Sequence, residues 1–146
     1  MILVDANLLL YAYHPASDHH ERCRAWLEDI LSGGEPVRLA WVTVLAFIRI
    51  GTSPRVFESP LSVDEAAAVV SAWLAQPCVA ILEPGERHWE ILCGLLSAGQ
   101  VRGLLVMDAH LAALALEHGA TLHTNDRDFA RFPGLRVASP LAEPDE

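Results

Sequence analysis

Residues 107–128 read MDAHLAALALEHGATLHTNDRD, and a helix, a strand and an acidic turn follow one another inside them. Met107 to His118 is apolar at helical spacing, carries Asp108 in its expected first turn, and ends at Gly119, the residue best suited to a left-handed helix stop. Thr121 to Thr124 reads as a short strand, and Asp126 and Asp128 follow it directly. A helix that feeds straight into a strand is the repeating joint of α/β domains.

Working outward, the same joint recurs. Residues 1–7, MILVDAN, open with an apolar run from Ile2 that stops at Asp5, as a fully buried strand does, and Asn7 is placed to cap the helix that follows. A helix is predicted from an N-cap at Ser17 or Asp18 to about Ser32, with Cys23, Trp26, Leu27, Ile30 and Leu31 on its apolar side and Gly33-Gly34 ending it. Val37 to Trp41 reads as a second strand and Thr43 to Ile50 as a helix, stopped by Gly51 and Pro54. Ser62-x-x-Glu65 has the form of a capping box and opens a helix through Trp73 and Leu74 that Pro77 ends. Cys78 to Leu82 is a third strand, Glu86 to Leu96 a helix, and Leu135 to Ala138 a fifth strand. Strands alternating with helices imply a single α/β domain over residues 1–141 with a mostly parallel central sheet flanked by helices, followed by a short acidic tail, 142–146.

Composition bounds the function. At 146 residues, 52% hydrophobic and 20% charged, the chain is long enough for one core and too apolar to be disordered. Its longest strongly apolar stretch, Leu39 to Ile48, is about half of the ~20 residues a membrane helix needs, and the N-terminus lacks a basic leader, so a cytoplasmic protein with no membrane contact is expected. Three cysteines without a C-x-x-C pair indicate neither a disulfide framework nor a zinc knuckle, and Cys23, Cys78 and Cys93 are expected to be buried. The ten cationic residues are all arginines, which excludes lysine chemistry, including the phosphate-binding P-loop. A net charge of −9 argues against nonspecific affinity for nucleic acid but leaves room for a nucleic-acid substrate reached through a bound cation.

The residues able to carry chemistry are carboxylates. VDAN (Asp5), MDAH (Asp108) and TNDRD (Asp126, Asp128) are far apart in sequence, yet Asp5 and Asp126 follow strand ends, where ligand sites of parallel sheets lie. Hard divalent cations such as Mg²⁺ and Mn²⁺ prefer such oxygen ligands, and the cation offsets the mutual repulsion of the acids. The plainer alternative gives Asp5 and Asp126 to turns and Asp108 to a helix cap. The seven histidines show no H-E-x-x-H spacing, and His110, two residues beyond Asp108, points to another helix face. Trp26, Trp41, Trp73 and Trp89 are expected in the core, and Arg127 and Arg131 either hold phosphates or pair with acids. Neither a hydrolase elbow nor a dinucleotide fingerprint is present, and VDAN lacks the D-x-D pattern of a phosphohydrolase with an aspartyl nucleophile.

MILVDANLLLYAY at the start, RIGTSPRVF in the middle and VMDAHLAALALEHGATLHTNDRDFARFPGL near the end together resemble PIN-domain proteins of the VapC toxin type, over nearly the whole chain. The resemblance implies a Mg²⁺- or Mn²⁺-dependent endoribonuclease that hydrolyses RNA phosphodiester bonds, forms a homodimer, and is held inactive by a cognate antitoxin protein. Asp5, Asp108 and Asp126 match the family's metal ligands, Asp128 joins them as a fourth catalytic acid, and Asn7, Thr124 and Arg127 are placed to orient carboxylates or substrate. One position departs: where many relatives carry a second acidic residue, the segment reads LAFIR, with Ala46 in its place. Glu117, nine residues along the helix from Asp108, falls on the opposite face, and Glu83, after the third strand, is the other acid considered near the pocket. The departure keeps a second implication open, a catalytically weak PIN domain that binds antitoxin or RNA without cutting it.

Overall fold

A computed structural model describes residues 1–142. Five parallel strands, β1 (Ile2–Val4), β2 (Val37–Leu39), β3 (Val79–Ile81), β4 (Thr121–His123) and β5 (Val137–Ala138), form one sheet in the order β3-β2-β1-β4-β5. The helices are α1 (Ala6–Tyr13), α2 (His20–Ser32), α3 (Trp41–Gly51), α4 (Val63–Leu74), α5 (His88–Ala98) and α6 (Leu105–His118), with a 3₁₀ turn at Arg127–Arg131. The chain winds outward from β1 through β2 to β3, then returns to β1's other edge with β4. The order therefore reverses between β1 and β4, and a crevice opens beyond their carboxyl ends.

The strand alternation divides the core between the two sheet faces. Ile2 and Val4 point to one side, onto Leu8, Leu9, Phe47 and Trp73, whereas Leu3 points to the other, onto Leu82, Leu95 and α6. On that second side, Ala109, Ala112, Ala113 and Ala115 are fully buried, so small side chains let α6 lie close against the sheet. Gly119 ends α6 at φ 69°, the left-handed conformation read from its position.

The predicted elements are present, with local corrections. Asp5, rather than Asn7, caps α1: its Oδ1 accepts from the Ala6 N–H at 2.8 Å, and Asn7 lies inside the first turn. Trp41 opens α3 instead of closing β2, because Ala40 turns the chain and its carbonyl already accepts from Thr43 and Val44. The N-cap of α2 is His19, with Ser17 Oγ accepting from the His19 N–H one step earlier. The capping box at Ser62 and Glu65 forms with both of its hydrogen bonds. Cys23 is buried, but Cys78 is half-buried and Cys93 exposed. Trp73 is a core residue and Trp26 packs beside the core, whereas Trp41 and Trp89 are 50% and 70% exposed. Leu141 packs on the core; of the expected tail, residues 143–146 lie outside the described residues. No helix among the described residues is long and apolar enough to cross a membrane.

Candidate active site

The reversal of strand order gathers the acids. Asp5 leaves β1 as the cap of α1; Thr124, Asp126 and Asp128 leave β4; and Asp108 projects from the first turn of α6. One carboxylate oxygen from each of Asp108, Asp126 and Asp128 lies within 4.8 Å of the others. The tightest group is therefore Asp108, Asp126 and Asp128, where the sequence pointed to Asp5, Asp108 and Asp126. Asp5 stands beside it, lining with Asp108 a cleft of about 570 Å³.

Thr124 joins the segments. Its buried hydroxyl donates to Asp5 Oδ2 at 2.6 Å and accepts from the Asp126 N–H at 3.0 Å. Asn7 Nδ2 reaches the same hydroxyl at 3.4 Å, and Asn7 Oδ1 accepts from the Asn125 N–H at 3.4 Å. Asp126 Oδ1 in turn accepts from the Asp128 N–H at 2.9 Å, which folds the loop into its 3₁₀ turn and brings Asp128 back toward Asp108. Thr124 thus hydrogen-bonds the Asp5 carboxylate directly, Asn7 touches that hydroxyl and Asn125 rather than an acid, and Arg127 is exposed at the start of the 3₁₀ turn. Arg131, also exposed, donates to the carbonyls of Asp128 and Gly99.

The acids hold one another in an unfavourable charge state. Burial, then repulsion from Asp126, Asp5 and Asp128, pushes the Asp108 carboxyl up to about 6, with Arg131 opposing. Burial likewise raises Asp5, against the hydrogen bonds from Thr124 and Ala6. An all-oxygen set of crowded carboxylates suits a hard divalent cation, whose charge removes the repulsion. Thr124→Val keeps the shape but removes the hydroxyl that ties Asp5 to Asp126. If these acids hold a divalent cation, its affinity is expected to fall by roughly 10–100-fold, as when a group supporting a metal ligand is lost. A variant with parental Mn²⁺ affinity in calorimetry would show that Asp5 and Asp126 hold their places unaided.

Ala46 and Arg49, three residues apart on α3, share the cleft with Asp5 and Asp108. Position 46 therefore faces the acids, as the alignment of LAFIR implies, and contributes no carboxylate. Arg49 was not singled out by sequence reasoning; its spacing from Ala46 was the available signal. Glu83 is exposed and does not line the cleft. Glu117 is turned to a structural task, accepting from the Gly85 and Arg87 N–H groups at 2.7 and 2.9 Å to close the loop before α5.

The PIN domain family model matches residues 2–135. The chain is 44% identical to Ribonuclease VapC37 of Mycobacterium tuberculosis, over 97% of this chain and 99% of that protein. Among solved structures, FitAB bound to a DNA fragment superposes with a TM-score of 0.71 at 23% identity, covering 99% of both chains. A toxin–antitoxin complex from Klebsiella pneumoniae superposes at 0.65 and 18% identity, covering 96% of this chain and 98% of that one. These two structural matches carry the fold.

Proposed function

The chain belongs to the PIN-domain family, and we propose that it is a Mg²⁺- or Mn²⁺-dependent endoribonuclease toxin of the VapC type, working in the cytoplasm as a homodimer restrained by a cognate antitoxin. The observation that carries this reading is the crowding of four aspartates from three distant segments at the β1/β4 crevice, at the cost of a carboxyl driven to about 6. Near-full-length identity to a protein named a ribonuclease supports the substrate, and the likeness to a toxin–antitoxin complex supports the partner.

Asp108, Asp126 and Asp128 would hold the cation, with Asp5 completing the set from the cleft side. When bound, the cation supplies Lewis acidity at a phosphoryl oxygen and increases the acidity of water. The chain's own residues do the rest. Thr124 and Asn7 keep Asp5 and Asp126 in register, Arg49 lines the cleft with Asp5 and Asp108, and Arg127 is exposed between Asp126 and Asp128, and guanidinium groups so placed suit phosphate oxygens. Incubating purified protein with RNA after chelation, then restoring Mn²⁺, tests the reading: cleavage should stop and return. Cleavage that persists in excess chelator would overturn it.

Two further expectations follow from the charge state and from Ala46. Because Asp108 holds its proton up to about pH 6, divalent affinity should be flat above neutrality and weaken by up to about tenfold per pH unit below 6, measured by Mn²⁺ calorimetry. Affinity independent of pH between 5 and 7, roughly the range where such a carboxyl titrates, would remove Asp108 from the site. Ala46→Glu adds an acid to the half-buried wall of the cleft shared with Asp5 and Asp108, so Mn²⁺ should bind more tightly, against an overpacking cost of ~1–3 kcal/mol. Ala46 is the one feature favouring a chain that binds without cutting. A folded variant that cuts RNA where the parent does not would establish that second reading, and unchanged metal affinity would show that position 46 is too far from the ion.

A further inference from the structure

The segment 49–57, RIGTSPRVF, and the carboxyl end of α1 enclose a second cavity of about 380 Å³, within the range of small-ligand sites. Asn7, Tyr11 and His14 line it at helical spacing, with Ser17 beyond them and Ile50 and Phe57 opposite. It neighbours the acidic cleft along α1 and α3 without sharing a lining residue with it. Ala6 and Arg49 line the acidic cleft, and the next residue on each helix, Asn7 and Ile50, lines this cavity. Asn7 also reaches the Thr124 hydroxyl that holds Asp5. From Asn7 to His14 the rise is roughly 10 Å, about three nucleotides of a stacked strand.

His14 gives the cavity its chemistry. It is only 7% exposed, and its Nε2 has no hydrogen-bond partner among the described residues. Phe57 lies flat on the imidazole, with ring centroids 3.3 Å apart and planes within 8°, so one face of the ring is covered and its polar edge is left to the cavity side. Burial and the neighbouring His20 lower the His14 pKa, which keeps the ring neutral, with one nitrogen to donate and one to accept. A buried polar atom without a partner is costly, and a ligand edge that pairs with it recovers that cost. Single-stranded RNA is read in this way, by bases turned out of the stack against aromatic rings and hydrogen-bonded along their edges.

We propose that this cavity is a nucleobase subsite, in which one base of the RNA beside the cleaved phosphate enters next to Tyr11 and the His14–Phe57 stack and hydrogen-bonds to His14 Nε2. Sequence preference is set here, while Arg49 opens the segment that passes the site and the exposed Arg55 lies within it, both suited to phosphates. The proposal rests on the ribonuclease reading for its substrate, and its test is separable from catalysis.

The four nucleoside 5′-monophosphates are titrated into the full chain in the presence of chelator, with NMR signals of His14, Phe57 and Tyr11 as the readout. One base is expected to shift these signals saturably at millimolar concentration. His14→Phe keeps an aromatic ring on Phe57 but removes the nitrogen, and Ala16→Phe, at an exposed position lining the cavity, fills the space without touching the core. Each should abolish the shifts and redistribute cleavage sites, raising KM by about fivefold, the effect of one neutral hydrogen bond, more than it changes kcat. No shift with any of the four nucleotides would overturn the proposal, as would shifts that survive both variants or a cleavage pattern unchanged by either. A chain that takes up nucleotides here yet cuts no RNA would overturn the ribonuclease reading and leave the subsite in place.

Discussion

Asp108→Asn is expected to lose more RNA cleavage than the roughly 10–100-fold that removal of a group supporting a metal ligand costs, and yet to melt at a higher temperature than the parent without metal. Both effects have one origin. Asp108 is the acid on which burial and repulsion from Asp126, Asp5 and Asp128 converge, so its charge is unfavourable in the folded chain unless a cation is present. An ordinary carboxyl of the unfolded chain titrates near 3.8, and the folded one near 6. Between those values the folded state holds more protons, so stability falls as pH rises through the window and stays lowered above it. Asparagine has no charge to lose and escapes that penalty. Melting curves at pH 4 and pH 8, about two units either side of the shifted value, should diverge more for the parent than for the variant. A variant that melts lower at both, or retains activity, would mean that Asp108 is a structural cap.

The largest loss of stability is expected at Trp73. Its side chain is 2% exposed, packs at 4.7 Å from the Phe47 ring centroid and 5.6 Å from that of Tyr13, and donates from Nε1 to the Tyr13 hydroxyl at 3.1 Å. Trp73→Ala empties the space between α4, α3 and α1 and leaves that hydroxyl without its donor. The cost should be ~3–5 kcal/mol, lowering Tm by about 10–15 °C. Because α1 and α3 also carry Asp5's helix and Ala46, metal affinity should weaken alongside. A Tm change under about 3 °C, worth roughly 1 kcal/mol in a chain of this size, would show that the cluster collapses around the gap.

The fold was legible where local chemistry decides it. Ser62 and Glu65 specify a helix start within four residues, Gly119 a helix stop, and the apolar runs at Ile2 and Leu122 two buried strands, all of which the structure contains. The candidate site was legible for a related reason: acids at strand ends must meet once the sheet is parallel. What escaped depends on contacts distant in sequence. Helix spacing set Glu117 on the face away from Asp108 but could not give it a task, which is to close a loop 32 residues away by binding Gly85. Trp89 and Cys93 are as apolar as Leu95, yet among the described residues of α5 only Leu95 is fully buried, because α6 covers one narrow face of that helix. The closing of Asp128 onto Asp108 depends on the Asp126 side chain folding its own loop, which spacing alone does not state.

Calorimetric titration of Mn²⁺ into the metal-free parent and into Asp108→Asn at pH 7.5, about one and a half units above the shifted carboxyl, tests the divalent centre most directly. The expected result is saturable binding to the parent that raises its Tm, and little or none to the variant. Equal binding to both proteins, or no binding to a folded parent at millimolar Mn²⁺, would contradict a metal centre built from Asp108, Asp126 and Asp128.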